Sequence, residues 1–310
     1  MGRRAPWARR EVSSGDRSRG EEGAGGDGGR GKQEERTQSY YQEGGARAAR
    51  VAELFSRIAP RYDLVNDLQS FWLHRLWKKR LVRSAQVPER GAALDLCCGT
   101  GDIVRALARE YPGAAIAVGL DFAAPMLRIA TGTASPDLVA AEADGAGGGT
   151  SPKANAPASR GTDAAALSRP RRPRILFILA DALRVPFPDE SFDCVTISYG
   201  LRNVADVRAC ISEARRVLRP GGRFLILEFG KPPGALVSRL YFAYLRAAVP
   251  LFGRLFFGDR AAYRYIHDSL VRFPSQSEVV DLVRAGGFGR VEVQSLLAGI
   301  MAIYVADVAG

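Results

Sequence analysis

Residues 92–102 read Ala-Ala-Leu-Asp-Leu-Cys-Cys-Gly-Thr-Gly-Asp, a short apolar strand running directly into a tight glycine turn. No other stretch constrains the fold as strongly. A strand this apolar, with little alternation, belongs in a parallel sheet covered on both faces. Gly99 and Gly101 carry no Cβ, so a ligand can sit against bare backbone there. A helix starting at Asp102 would aim its first free amides at the same spot. The dinucleotide fingerprint G-x-G-x-x-G needs a third glycine, and here that position is Val104. Asp102 also puts a carboxylate where a pyrophosphate would need unopposed amides. Both departures favour a cofactor without phosphates, and S-adenosylmethionine fits.

The alternation continues downstream. A strand at 115–120 ends in Asp121, and a helix follows Pro125. A strand at 174–180 ends in Asp181-Ala182, and another at 193–198 ends in Ser198-Tyr199-Gly200. A helix at about 206–218 stops at Pro220-Gly221-Gly222, and a strand runs 223–229. Upstream, Val51, Leu54, Phe55 and Ile58 have helical spacing up to Pro60, and 62–83 reads as a second helix dense in aromatics. Apolar strands alternating with helices predict an α/β fold, with ligands beyond the carboxyl ends of the strands.

Charge narrows the partners. The net charge is +11, but residues 1–50 hold 11 Lys and Arg against 8 Asp and Glu. Residues 145–174 hold six basic residues against Asp163. These two stretches supply +8 of the total, and both are rich in Gly, Ala, Ser and Pro. We read 1–50 as a disordered extension and about 131–173 as a low-complexity insertion in a domain spanning 51–310. The folded remainder is only mildly basic, which argues against a nucleic-acid partner. Cys97, Cys98, Cys194 and Cys210 lack metal-ligand or disulfide spacing, so no metal is expected and a reducing compartment is. No run of about 18 apolar residues predicts a spanning helix.

The strand ends carry the candidate ligands. Asp121, twenty residues past Gly101, can accept both hydroxyls of a ribose or, alternatively, cap the helix beginning near Ala123. Asp181 with the Ala182 amide can read an adenine amino edge, or Asp181 can simply form a turn before Pro186.

The chain resembles the ubiquinone/menaquinone C-methyltransferase family over 51–306 outside the insertion. The matching residues include Arg61-Tyr62-Asp63, Asn66-Asp67, His74-Arg75-Leu76-Trp77, Gly99-Thr100-Gly101-Asp102 and Pro186-Phe187-Pro188. The most specific stretch is Phe192 to Asn203, which closes on Ser198-Tyr199-Gly200-Leu201-Arg202-Asn203. Arg216-Val217-Leu218-Arg219-Pro220-Gly221-Gly222, Leu227-Glu228-Phe229 and Tyr263-Arg264-Tyr265 follow. Cys97-Cys98 and Gly230 depart from the commoner small pair and serine, and Asp181 stands where Asn is frequent.

This resemblance implies a Rossmann-like class I methyltransferase fold, a mostly parallel seven-stranded sheet with helices on both faces. It implies S-adenosylmethionine bound by Gly99, Thr100, Gly101, Asp121, Asp181, Ala182 and Ser198. The implied reaction is C-methylation of a polyprenylated quinol, demethylmenaquinol first and a ubiquinone precursor second. A sulfonium methyl needs no metal, but the ring carbon must gain phenolate character. A guanidinium stabilises that oxyanion, so Arg202 is the catalytic candidate, with a structural ion pair as its alternative role. Tyr62, Asp63 and His74 are weaker candidates on a lid-like segment.

The apolar, arginine-dotted residues 236–257, broken by Pro250, would meet a prenyl tail, a membrane surface, a second copy in a homodimer, or simply the core. A cytoplasmic protein touching the inner membrane face is the expected setting. Two other readings compete: a methyltransferase for another small acceptor, and an S-adenosylmethionine-binding RNA-associated protein. The stretch around Arg202 disfavours the first, and charge confined to the low-complexity segments disfavours the second.

Overall fold

The computed structural model describes residues 67, 70, 72–132, 139–140, 173–232, 234–256 and 269–310. The helix expected at 51–58, residues Tyr62, Asp63 and His267, the 1–50 extension and most of the insertion lie outside these. Side chains of 139–140, 235 and 247–256 are likewise not described.

The described elements are α1 (Leu73–Arg83), β1 (Ala92–Leu96), α2 (Asp102–Glu110), β2 (Ile116–Asp121), α3 (Ala124–Thr131), β3 (Val139–Ala140) and β4 (Arg174–Leu179). They continue with β5 (Phe192–Ser198), α4 (Val207–Val217), β6 (Leu218–Phe229), α5 (Ala235–Phe256), α6 (Gln276–Ala285), β7 (Arg290–Leu296) and β8 (Met301–Asp307). One sheet forms in the order β3-β4-β2-β1-β5-β6-β8-β7. Pairing is parallel from β3 to β6, and β8 runs antiparallel to both β6 and β7. The chain leaves β1 in one direction toward β2 and β4, then crosses back to β5 on the other side. The topological switch therefore falls between β1 and β5, where ligands bind in open α/β sheets.

Four expectations shift. The sheet has eight strands, because Val139 and Ala140 pair with Ile178 and Leu179. The insertion thus supplies a two-residue edge strand where no regular structure was expected. Within the stretch 62–83 expected as one helix, α1 starts at Leu73, because Trp72 before it sits at φ 61, a left-handed conformation that stops helix propagation. Helix α4 ends at Val217, and β6 begins at Leu218, which pairs with Phe192 before the register shifts. Helix α5 runs through Pro250 instead of breaking there.

Two apolar layers sandwich the central strands. Leu94, Leu96, Val195, Ile197 and Ile226 pack with Cys210, Ile211 and Ala214 of α4 and Val279 and Val283 of α6. Ala93, Cys194, Leu225 and Leu227 pack on the other face with Leu81 and Val82 of α1 and Ile103 and Leu107 of α2. Each fully buried aliphatic side chain here contributes about 1.5–3 kcal/mol.

One carboxyl interrupts the second layer. Asp95, in the centre of β1, faces Thr196 on β5 and accepts its hydroxyl at 2.6 Å. Burial pushes its pKa up to about 8. An unfolded Asp titrates near about 3.9. Between those values the folded chain keeps a proton that the unfolded chain has lost, so this group makes stability fall as pH rises from about 4 to about 8. Asp95→Asn keeps the shape and the acceptor oxygen without the titration. In denaturant melts, the stability of Asp95→Asn relative to the parent should therefore improve steadily from pH 5 to pH 8. A pH-independent difference would contradict a neutral Asp95.

Candidate active site

A cavity opens at the carboxyl ends of β1, β2, β4 and β5. Gly99, Asp121, Asp181, Ala182 and Ser198 line it, five of the seven residues expected to hold a cofactor. Thr100 and Gly101 are not among the lining residues. They build the turn behind the wall.

The turn shows a division of labour between its glycines. Gly99 has φ +55, and a Cβ there would meet nothing within 4 Å, so its bare face looks into open cavity. Gly101 has φ +77, and a Cβ there would lie 2.6 Å from the Phe177 ring. Arg105 staples the turn from below, donating to the Thr100 carbonyl at 2.5 Å and the Ala130 carbonyl at 2.9 Å.

Asp121 is fixed before any ligand arrives. Its Oδ2 accepts the Gly99 amide at 2.7 Å and its Oδ1 accepts the Ala123 amide at 2.8 Å. The Ala123 bond is a local turn: Ala123 is itself the N-cap of α3 and no side chain caps that helix, so Asp121 does not take the capping role, and its carboxylate can accept further hydrogen bonds. Burial raises the Asp121 pKa against the pull of these amides. Asp181 accepts the Leu183 amide at 2.9 Å, which turns the Ala182 segment along the rim. Ser198 contributes a buried hydroxyl with no hydrogen-bond partner among the described residues. A buried unpaired hydroxyl costs about 1–3 kcal/mol, and a polar ligand group in the cavity would relieve that cost.

The two strand ends flanking the switch point are strained alike. Cys97 after β1 has φ 54, and Tyr199 after β5 has φ 58. Non-glycine residues in this region cost about 1–2 kcal/mol each, and such strain concentrates at functional sites. The two turns touch, since a Cβ on Gly200 would fall 2.6 Å from that of Cys97. Burial raises the Cys97 and Cys98 thiols well above the usual range, so both are packing residues. Among the described residues, no group of three His, Cys, Asp or Glu side chains is placed to hold a metal ion.

Gly-Leu-Arg-Asn at 200–203 holds the strained turn. Arg202 and Asn203 both donate to the Tyr199 carbonyl at 2.9 Å. Arg202 Nη1 also reaches Glu228 Oε1 at 2.5 Å, and the Arg202 amide meets the other carboxylate oxygen at 3.2 Å. Glu228 is completely buried. The ion pair weighed as the alternative role of Arg202 is therefore present, and Arg202 lies just outside the cavity lining. Its guanidinium also sits 5.0 Å from the Phe229 ring centre. At the neighbouring buried phenol of Tyr241, burial raises the pKa, and the pull of Arg202 outweighs the opposing push of Glu228.

Pattern reading missed a second ion pair. Lys78 of α1 meets Asp102 at 2.6 Å and lies 5.8 Å from the Tyr199 ring centre. Burial raises the Asp102 pKa, but the Lys78 charge and hydrogen bond lower it further. The carboxylate at the start of α2 is thus neutralised by the helix above it. The apolar wall residues Phe122, Met126 and Leu183 were also missed. Only the placement of Phe122 and Leu183 beside Asp121 and Asp181 hinted at them.

The fold and the site together define a methyltransferase: a switch-point cavity with a glycine turn, a carboxylate at the end of the second strand and a neutral apolar wall. A profile of the ubiE/COQ5 methyltransferase family matches residues 44–139 and 162–307, and the chain belongs to that family. It is 38% identical over 254 residues to the demethylmenaquinone methyltransferase of Thermus thermophilus, covering 82% of this chain and 99% of that one. It is 35% identical over 258 residues to the ubiquinone/menaquinone biosynthesis C-methyltransferase of Pseudomonas paraeruginosa, covering 83% and 88%. Among solved structures, the methyltransferase in the Haloferax volcanii Trm112 activator complex shares the fold, with a TM-score of 0.53, 17% identity and coverage of 83% and 98%.

The two glycines make separable predictions. Gly101→Ala should destabilise the protein by roughly 2 kcal/mol or more, from left-handed strain plus overlap with Phe177. Gly99→Ala should cost about 1 kcal/mol of strain yet weaken cofactor binding at least tenfold, because its methyl enters the cavity. Thermal melts and calorimetric titration with S-adenosylmethionine distinguish the two effects.

Proposed function

We propose that the cavity binds S-adenosylmethionine and that the protein methylates a ring carbon of a polyprenylated quinol, demethylmenaquinol foremost. Membership of the ubiE/COQ5 family carries this reading. The demethylmenaquinone methyltransferase of Thermus thermophilus, matched over 99% of its length, favours the naphthoquinol ring over the benzoquinol of ubiquinone.

The residues present fit the cofactor. Asp121 offers free lone pairs to a ribose diol, Asp181 and Ala182 offer an acceptor and an amide to an adenine edge, and Phe122, Met126 and Leu183 give the ring an apolar slot. Gly99 admits the chain end, and Ser198 offers its unpaired hydroxyl. When bound, the cofactor supplies an electrophilic sulfonium methyl.

The protein's part is to orient the ring, exclude water and favour the phenolate. Arg202 is suited to the last task. Its guanidinium is always charged and holds the carbonyl of Tyr199, a residue of the cavity wall, and these two facts support the role.

No described helix is long and apolar enough to cross a membrane. Helix α5 does expose Leu236, Leu240 and Tyr244 at successive turns, with Val237 beside them. A lipid surface is the partner that this stripe and a prenylated substrate suggest, from the cytoplasmic side of the inner membrane. An exposed apolar face of this kind inserts shallowly at an interface.

Quinone profiling of a deletion strain tests the function. Demethylmenaquinone should accumulate and disappear on complementation, and normal quinones would refute the reading. For Arg202, removing one partner alone leaves Glu228 buried and uncompensated, at a cost of about 3–5 kcal/mol. The paired change Arg202→Met with Glu228→Met avoids this. It should keep S-adenosylmethionine affinity within a few-fold while turnover falls by about a hundredfold. Unchanged turnover would remove Arg202 from the mechanism.

A further inference from the structure

Helix α1 carries a buried histidine that the preceding reading does not use. His74 is 5% exposed and Asp67 is 8% exposed. His74 Nε2 lies 2.7 Å from Asp67 Oδ1. Asp67 is held in turn by Arg75, whose Nε and Nη2 donate at 2.8 and 2.6 Å. These bonds lower the Asp67 pKa, so it is an ionised carboxylate that can only accept. Nε2 must therefore carry the proton, which leaves Nδ1 as a bare acceptor. Nδ1 is buried and has no partner among the described residues. Burial lowers the His74 pKa, outweighing the opposite pull of Asp67, so the ring is neutral at pH 7.

His74 is not among the residues that line the cavity, and helix α1 is what links it to them. Lys78 stands one turn after His74 on the same helix face. It reaches Asp102 at the glycine turn and the ring of Tyr199 on the cavity wall. Asp67, Lys78 and Asp102 are the described charged groups that act on His74. A carboxylate-fixed imidazole with one unprotonated, desolvated nitrogen is the arrangement of a general base.

We propose that His74, oriented by Asp67, is the general base that takes the proton of the quinol hydroxyl through Nδ1. The inference rests on the quinol reading above. The O–H bond breaks, the proton goes to Nδ1, and the electron pair stays on oxygen and enters the ring. The ring carbon bonds the methyl while the S–C electron pair leaves on sulfur. That carbon then releases its own hydrogen as a proton to solvent, aromaticity returns, and the imidazolium gives its proton back to the product oxygen, which restores both the quinol and the neutral His74.

The chain contains only two histidines, so the imidazoles can be followed individually by nitrogen-15 NMR on the full-length protein. His74 should show an unprotonated Nδ1 at neutral pH. A short-chain demethylmenaquinol analogue added without cofactor should shift that nitrogen. A protonated Nδ1, or no response to the quinol, overturns the proposal.

Kinetics give an independent reading. Wild-type turnover should fall on acidification as His74 gains a proton, whereas His74→Gln should be about a hundredfold slower and lack this acid limb, with cofactor affinity within about twofold. Should His74→Gln lose cofactor binding through misfolding, Asp67→Asn carries the test. Losing the carboxylate should move the acid limb to lower pH, and an unmoved limb overturns the role. Wild-type protein that binds cofactor but never methylates the quinol would refute the function itself, whereas wild-type turnover with unaltered variants would refute only His74.

Discussion

The buried pair of Arg202 and Glu228 is the interaction on which the site's geometry depends. It ties the turn after β5 to the end of β6, and the same guanidinium holds the carbonyl of the strained Tyr199. Asn203 holds the same carbonyl, so the ion pair anchors to β6 a turn that a second side chain also shapes. The cavity wall between β1 and β5 is built from those contacts. A buried ion pair seldom adds net stability over an apolar pair of the same shape.

The site is electrically economical. Each charge near the cavity is answered by a neighbour or a backbone amide: Asp102 by Lys78, Asp67 by Arg75 and His74, Glu228 by Arg202, and Asp121 by two amides. Asp95 is answered by neutrality, with burial holding its proton on. A cationic sulfonium and a developing phenolate would thus meet a scaffold with little net field of its own.

Much of this was readable in the sequence because parallel strands buried on both faces announce themselves as apolar runs, and each ended in a residue able to bind. Gly99, Asp121, Asp181, Ala182 and Ser198 were found that way. The parts that escaped depend on long-range partners. Lys78 and Asp102 are 24 residues apart, and Arg202 and Glu228 are 26 apart, so no local pattern pairs them. Trp72 escaped for another reason, since nothing in its chemistry signals a left-handed backbone. The Val139–Ala140 strand escaped because two residues in a low-complexity stretch carry no period. Pro250 misled because its lost amide predicts a break, whereas the backbone of α5 stays helical through it.

In the function proposed above, one cavity at the β1–β5 switch point brings a sulfonium methyl to a quinol ring carbon. Purified protein supplied with methyl-deuterated S-adenosylmethionine and a demethylmenaquinol tests it most directly. Mass spectrometry should find an intact trideuterated methyl on the ring carbon, with turnover abolished by Gly99→Val. Label absent from the quinol, or carried on oxygen instead of carbon, would contradict the account.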